Sequence, residues 1–128
     1  MATPDIEVNI KPLSVNKAYK GRKRKTHYYK QYEDELLNLL PAEFKVPARG
    51  KIKIELEFYV SSPLADIDNP LKPLIDILQK KYGFNDKRIF ILNVNKFLVA
   101  KGDEGIHIKI TSIRRMKNAS STRTIKPS

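Results

Sequence analysis

Residues 51–60 read Lys-Ile-Lys-Ile-Glu-Leu-Glu-Phe-Tyr-Val, and their alternation decides the fold. Ile52, Ile54, Leu56, Phe58 and Val60 fall on one side of an extended chain, with Lys51, Lys53, Glu55, Glu57 and Tyr59 on the other. Successive side chains of a strand point to opposite faces, so one face is buried and the other at least partly wet. The chain is therefore built around a sheet covered on one side.

Towards the C-terminus, Ser61-Ser62-Pro63 closes this strand and Asp66-Ile67-Asp68-Asn69-Pro70 follows. A helix is expected over residues 70–82, with Asn69 as N-cap and Pro70 in the first helical position, where a missing N–H costs nothing. Leu71, Leu74, Ile75 and Leu78 give it an apolar stripe, Pro73 makes its first turn irregular, and Gly83 suits the residue just past its end. Residues 89–100 and 105–113 read as two more strands, the last facing inward through Ile106, Ile108 and Ile110. The connection Lys101-Gly102-Asp103-Glu104-Gly105 is short enough for a hairpin, so these two strands are expected to be antiparallel neighbours.

Towards the N-terminus, Pro47 and Gly50 mark a connection. Residues 26–40 have helical spacing through Tyr29, Tyr32, Leu36, Leu39 and Leu40, and Pro41 stops the helix. Residues 17–25 lack apolar periodicity and read as a mobile surface loop. Residues 5–10 alternate, with Ile6, Val8 and Ile10 on one face, and form a strand ended by Pro12. The order β-α-β-α-β-β describes an α+β fold, an α/β sandwich in which a small mixed sheet of about four strands packs with two helices. Residues 1–113 form one domain, and the basic tail 114–128 has a disordered composition.

Composition narrows the function. The chain has no cysteine, which excludes disulfides, thiolate catalysis and cysteine zinc sites. No apolar run approaches a membrane helix and no signal peptide is visible, so a cytoplasmic protein without membrane contact is expected. No glycine-rich phosphate loop is present, which argues against a nucleotide cofactor. The net charge of +11 is unevenly placed: residues 11–30 and 114–128 hold 13 of the 25 basic residues and no acid. A near-neutral body with two cationic segments points to a polyanionic partner, against the plainer reading of a solvated loop and a frayed tail.

Within this basic chain Asp66 and Asp68 lie two positions apart. In an extended segment both project the same way and can share one cation, the arrangement of a nuclease-like site. The competing reading is a capping arrangement at a helix start. Asp86 is a third candidate, but the intervening helix separates it from the pair by roughly 20 Å at about 1.5 Å per residue. Fold-back within one subunit is the expected way to join them, and completion across a dimer is the alternative. Lys72 could contact a scissile phosphate, but its spacing from Asp76 reads first as an i,i+4 ion pair on a wet helix face. His27 and His107 have no nucleophilic partner, and His107 alternates with core isoleucines as an exposed strand residue. Tyr19, Tyr28, Tyr29 and Tyr32 could stack on bases, though Tyr29 and Tyr32 lie on the helix stripe and read as core.

The block DIDNPLKPLIDILQKKYGFNDKRI, residues 66–89, resembles the signature region of the RusA family of Holliday-junction resolvases. That family opens a helix with Asp-x-Asp-Asn and follows it with a lysine, an aspartate, a glycine and an Asp-Asp pair. Asp66, Asp68 and Asn69 match the opening, Lys72 the lysine, Asp76 the helix aspartate and Asp86 the second member of the pair. Pro12, Ser14, Asn16 and Tyr19, followed by the basic loop, resemble the family's N-terminal motif, and the likeness covers most of residues 6–113. Asn85 stands where the family has its first aspartate, and the stretch from Gly83 to Asp86 is short for the family.

The resemblance implies a homodimer that cuts four-way DNA junctions with Mg²⁺ or Mn²⁺, placing symmetric nicks on opposite strands in recombination and repair. It implies that Asp66, Asp68 and Asp86 bind the metal, with Lys72 beside them and Asn69 and Asp76 in support. Asn16, Lys17, Lys20, Arg22, Lys23, Arg24 and Lys25 would then contact DNA. Two other readings stay open: a non-catalytic basic nucleic-acid-binding domain, or a nuclease for other branched DNA such as flaps and forks.

Overall fold

The computed structural model describes residues 5–21 and 24–113. Arg22, Lys23 and the tail 114–128, with the disorder expected of it, lie outside the described residues. The elements in chain order are β1 (Asp5–Val8), α1 (Val15–Ala18), β2 (Tyr19–Lys20), β3 (Arg24–Lys25) and α2 (His27–Leu39). There follow β4 (Ile52–Val60), α3 (Leu71–Tyr82), β5 (Ile89–Leu98) and β6 (Gly105–Ser112), with one 3-10 turn at Asp86–Arg88. The fold is α+β: a four-stranded mixed sheet, a two-stranded ribbon and three helices.

The strand read from residues 51–60 is the centre of the sheet, whose order is β1-β6-β4-β5. β4 pairs antiparallel with β6 and parallel with β5. Its inward residues Ile52, Ile54, Leu56, Phe58 and Val60 are buried with Ile6 and Val8 of β1 and Ile106, Ile108 and Ile110 of β6. Tyr29, Tyr32 and Leu36 of α2 and Leu74, Ile77 and Leu78 of α3 close the same core from above. The opposite face stays open, with an Asp5–Lys109 and Glu7–His107 register at one side and Glu55 and Glu57 at the centre. His107 sits there half-exposed, its Nδ1 3.4 Å from Glu57.

Five expectations are corrected. β5 and β6 do not form a hairpin, because β4 lies between them. Residues 99–104 step across the end of β4, and six residues reach about 20 Å, twice the roughly 10 Å of two strand spacings. Loop length could not separate the two topologies. The parallel β4–β5 pair needs a long crossover, and residues 61–88, with α3 among them, supply it. The basic stretch is also no unstructured loop: α1 leads into a ribbon of β2 and β3 with Tyr19 opposite Lys25 and Lys20 opposite Arg24.

The other three corrections concern the helices. Leu39 is 43 % exposed, and the buried stripe of α2 runs Tyr29, Tyr32, Leu36 and on to Leu40 beyond its end. In α3 the buried stripe is Leu74, Ile77 and Leu78, while Leu71 and Ile75 flank it half-buried. The helix also begins one residue late, with Pro70 in the capping position and no side-chain cap. Gly83 ends it as expected, at φ 72, a left-handed conformation that glycine adopts without a Cβ penalty.

Candidate active site

The loop between β4 and α3 turns at residues 63–64 and again at 69–70; Asp68 sits in a bend and Asp66 in the irregular stretch just before it, so the pair does not share one strand. Both are exposed. Asn69 does not cap α3. Its side-chain amide donates to Asp66 Oδ2 at 3.2 Å, while the Asp68 carbonyl accepts the Leu71 N–H at 3.1 Å. Neither carboxylate therefore spends itself on the helix N-terminus, and the capping reading of the pair fails. A small pocket of about 80 Å³ opens beside Asp66, lined by Ser14, Asn69 and Lys96 among others. Lys96 reaches over from β5 and donates to the Ala65 carbonyl at 2.5 Å, fixing the residue before Asp66. No local pattern marks Lys96, because the strand register alone brings it there.

The basic arm is built against this loop. Ser14 caps α1 by accepting the Asn16 N–H at 3.1 Å, and the Val15 N–H donates to the Asn69 carbonyl at 2.8 Å. Thr26 closes the base of the ribbon: its N–H donates to the Ala18 carbonyl at 2.9 Å and its hydroxyl to the Lys17 carbonyl at 2.6 Å. Thr26 also caps α2, accepting the Tyr29 N–H. Asn16 and Lys17 thereby follow directly on the residue bonded to the neighbour of Asp68, and Lys20, Arg24 and Lys25 continue from there along the ribbon. Two of these cations lie over aromatic rings, Lys17 5.3 Å from Tyr28 and Lys25 4.7 Å from Tyr29.

Tyr19 joins the arm to α3. Its hydroxyl donates to Asp76 Oδ2 at 2.7 Å, and Lys72 Nζ donates to the same oxygen at 3.1 Å. Lys72 also lies 5.0 Å from the centre of the Tyr19 ring, within cation–π range. The i,i+4 pair read from the sequence is real, but it is part of a three-residue cluster. Burial, and then the carboxylate of Asp76, hold the Tyr19 proton far above the ordinary tyrosine range. Tyr29, 5.4 Å away, is pushed up to about 12, mainly by burial and then by the charge of Glu33. Tyr29 and Tyr32 are core, as expected.

Asp86 is elsewhere. It opens the 3-10 turn ahead of β5, where its N–H donates to Gln79 Oε1 at 2.8 Å. Asn85 caps that turn by accepting the Lys87 N–H at 2.8 Å, which gives the departure at this position a structural use. Arg88 then ties the turn to the chain before β4 through the carbonyls of Gly50 (2.8 Å) and Pro47 (2.5 Å). Because β4 and β5 are parallel, Asp86 lies by the paired starts Ile52 and Ile89, whereas Asp66 and Asp68 follow the ends Val60 and Leu98. Nine residues of strand separate the two places, about 25 Å. The expected fold-back does not occur within this chain. Among the described residues no three carboxylate or imidazole groups converge on one point.

The donor set at Asp66 and Asp68 nonetheless suits Mg²⁺, which takes one or two carboxylates and completes its shell with water and phosphate oxygens. Both are exposed, and Asp66 accepts only one hydrogen bond from the chain among the described residues. No helix among the described residues is long and apolar enough to cross a membrane. The family model described as Endodeoxyribonuclease RusA matches residues 9–111. No curated protein matches the chain.

Proposed function

The chain belongs to the RusA endodeoxyribonuclease family, and from that premise we propose that it is a divalent-metal-dependent enzyme that resolves four-way DNA junctions by paired nicks. The observation that carries this reading is the backbone bond from Val15 to Asn69. It sets a cationic arm, suited to phosphate, against two exposed carboxylates suited to a hard cation. Arm and carboxylates address the same stretch of nucleic acid.

On this reading Asp66 and Asp68 hold Mg²⁺, or Mn²⁺ in its place, and the bound ion supplies the charge that activates water and stabilises the leaving oxygen. Lys17, Lys20, Arg24 and Lys25, continued by Arg22 and Lys23, grip phosphates, and Asn16 orients the backbone between arm and carboxylates. Lys72 rests on Asp76 until a phosphate competes for it, with Tyr19 and Asp76 positioning its ammonium. Asp86 acts at the site of a second copy. A homodimer suits a junction with two-fold symmetry, since it offers two equivalent sites. The work belongs to DNA recombination and repair in the cytoplasm.

The test is Asp68→Asn, assayed on a synthetic four-way junction and a matched linear duplex with Mg²⁺ and with chelator. The wild type is expected to nick the junction in pairs and only with metal, while Asp68→Asn binds the junction and does not cut. A variant that cuts like the wild type sinks the site. The lack of a third convergent ligand within one described chain favours a second reading, a DNA-binding domain without catalysis. Junction binding with no cutting in either metal would establish it, and cutting confined to flaps or forks would reassign the substrate.

A further inference from the structure

A groove of about 470 Å³ runs between residues 9–14 and α2. Its helix wall is Tyr28, Gln31, Tyr32 and Glu35, which recur at spacings of three and four and so share one face of α2. The volume lies in the range of small-ligand sites. Two features mark a binding site here. Pro12 and Ser14 line both this groove and the small pocket beside Asp66, so a single segment of chain divides the two. Tyr32 is only 5 % exposed, yet its hydroxyl has no hydrogen-bond partner among the described residues. The Leu13 backbone lies beside that oxygen but outside hydrogen-bond geometry, and the phenolic proton has no acceptor. A buried donor left unpaired bears the full cost of its lost hydration, so a ligand that offers an acceptor is favoured.

The exposed wall supplies the rest of a nucleotide's needs. Tyr28 is 44 % exposed, with the His27 ring 4.0 Å away and the Lys17 ammonium 5.3 Å from its centre. An aromatic ring with a cation beside it takes a nucleotide by two groups at once, the base by stacking and the phosphate by charge. Gln31 and Glu35, both exposed, add an amide and a carboxylate to the same wall. Base edges carry donors and acceptors side by side, which these groups and the Tyr32 proton can meet.

We propose that this groove receives one unstacked nucleobase of the strand being cut, next to the phosphate at Asp66 and Asp68. The proposal deepens the junction-cutting reading and rests on it for the identity of the strand. Tyr28 stacks on the base, Lys17 moves from the ring to a phosphate, and the Tyr32 hydroxyl donates to an acceptor on the base edge. For that last bond residues 9–14 part slightly from α2, because the hydroxyl is covered in the free chain. Taking a base out of a stack costs least where pairing and stacking are already interrupted. A branch point offers such a base and a continuous duplex does not. The groove therefore selects branched DNA, whereas the cationic arm grips any phosphate backbone.

The test is binding in chelator, where no strand is cut, to a four-way junction and a matched linear duplex. Tyr28→Ala is expected to weaken junction binding roughly tenfold, the size of one lost base–aromatic stack, and to leave duplex binding unchanged. Abasic sites placed one at a time beside the branch locate the base. One position should weaken the wild type by a similar factor and Tyr28→Ala hardly at all. Tyr32→Phe keeps the packed ring and removes only the unpaired hydroxyl. It should unfold at an unchanged or higher urea midpoint yet bind the junction several-fold more weakly, a combination that a merely structural role does not give.

Equal loss of junction and duplex binding in Tyr28→Ala reduces the groove to general phosphate contact and overturns the proposal. Abasic sensitivity that is the same in wild type and Tyr28→Ala overturns it too, and leaves the groove to a protein partner. A wild type that cuts nothing in Mg²⁺ or Mn²⁺, but keeps the coupling between Tyr28 and one abasic position, loses the catalytic reading and retains the base groove.

Discussion

One oxygen of Asp76 serves both Tyr19 and Lys72. Replacing Tyr19 by Phe leaves that carboxylate to Lys72 alone and loosens the arm from α3. The expected result is a stability loss of about 1.5–3 kcal/mol, the range for a hydrogen bond to a charged group, read by urea unfolding. Junction cleavage should slow several-fold with little change in binding, read by single-turnover assay. The tyrosines also set an alkaline limit. Tyr19, Tyr29, Tyr32 and Tyr82 all hold their protons more tightly in the fold than in the open chain, each mainly through burial. Their contribution is fully present below the unfolded value near 10 and is lost as pH rises through the folded values, about 12 for Tyr29 and Tyr82. Urea midpoints should be flat from pH 7 to about 9.5 and fall steadily beyond it. The Lys72–Asp76 pair was legible in the sequence, as was the closeness of Asp66 to Asp68, because their spacing is local. Tyr19 and Asp76 are 57 positions apart, and no spacing rule links them.

The elements were legible wherever a hydrophobic period ran long enough. β4, β6 and the bodies of α2 and α3 were read within a few residues, since each buries a face against one core. Sheet order was not legible, because the 99–104 connection suits a hairpin or a step over β4 equally well. Gly105 bears on that order. A Cβ there would lie 2.9 Å from the Val8 carbonyl oxygen, so the close approach of β1 to β6 depends on glycine. Gly105→Ala is expected to cost about 1–3 kcal/mol by pushing β1 off the sheet, measured by urea unfolding and by faster amide exchange at Ile6 and Val8. Gly83→Ala meets no neighbouring atom and carries only the left-handed backbone cost, about 1 kcal/mol.

At the scale of the whole molecule, charge among the described residues is sorted by face. The open side of the sheet forms a shallow basin of about 550 Å³ lined by Asp5, Glu55 and Glu57 with His107 and Lys109, while the cationic arm stands with the helices. DNA should therefore approach from the helix side. If Lys17 and Lys25 each hold one phosphate, replacing either by Ala should reduce the slope of log binding constant against log salt by about 0.9. A charge-neutralising change at Glu55 should leave that slope alone, and both are measured by junction binding from low to physiological salt. The parallel crossover through α3 has a consequence for dosage. If Asp86 acts at the site of a second copy, a lone chain, which holds the candidate aspartates at opposite ends of its sheet, has no complete cutting site. At low abundance, cleavage should then rise with the square of enzyme concentration and become linear only once pairs predominate. Newly made chains would be harmless to the genome around them, and the cell could set its cutting capacity by how much of the protein it makes.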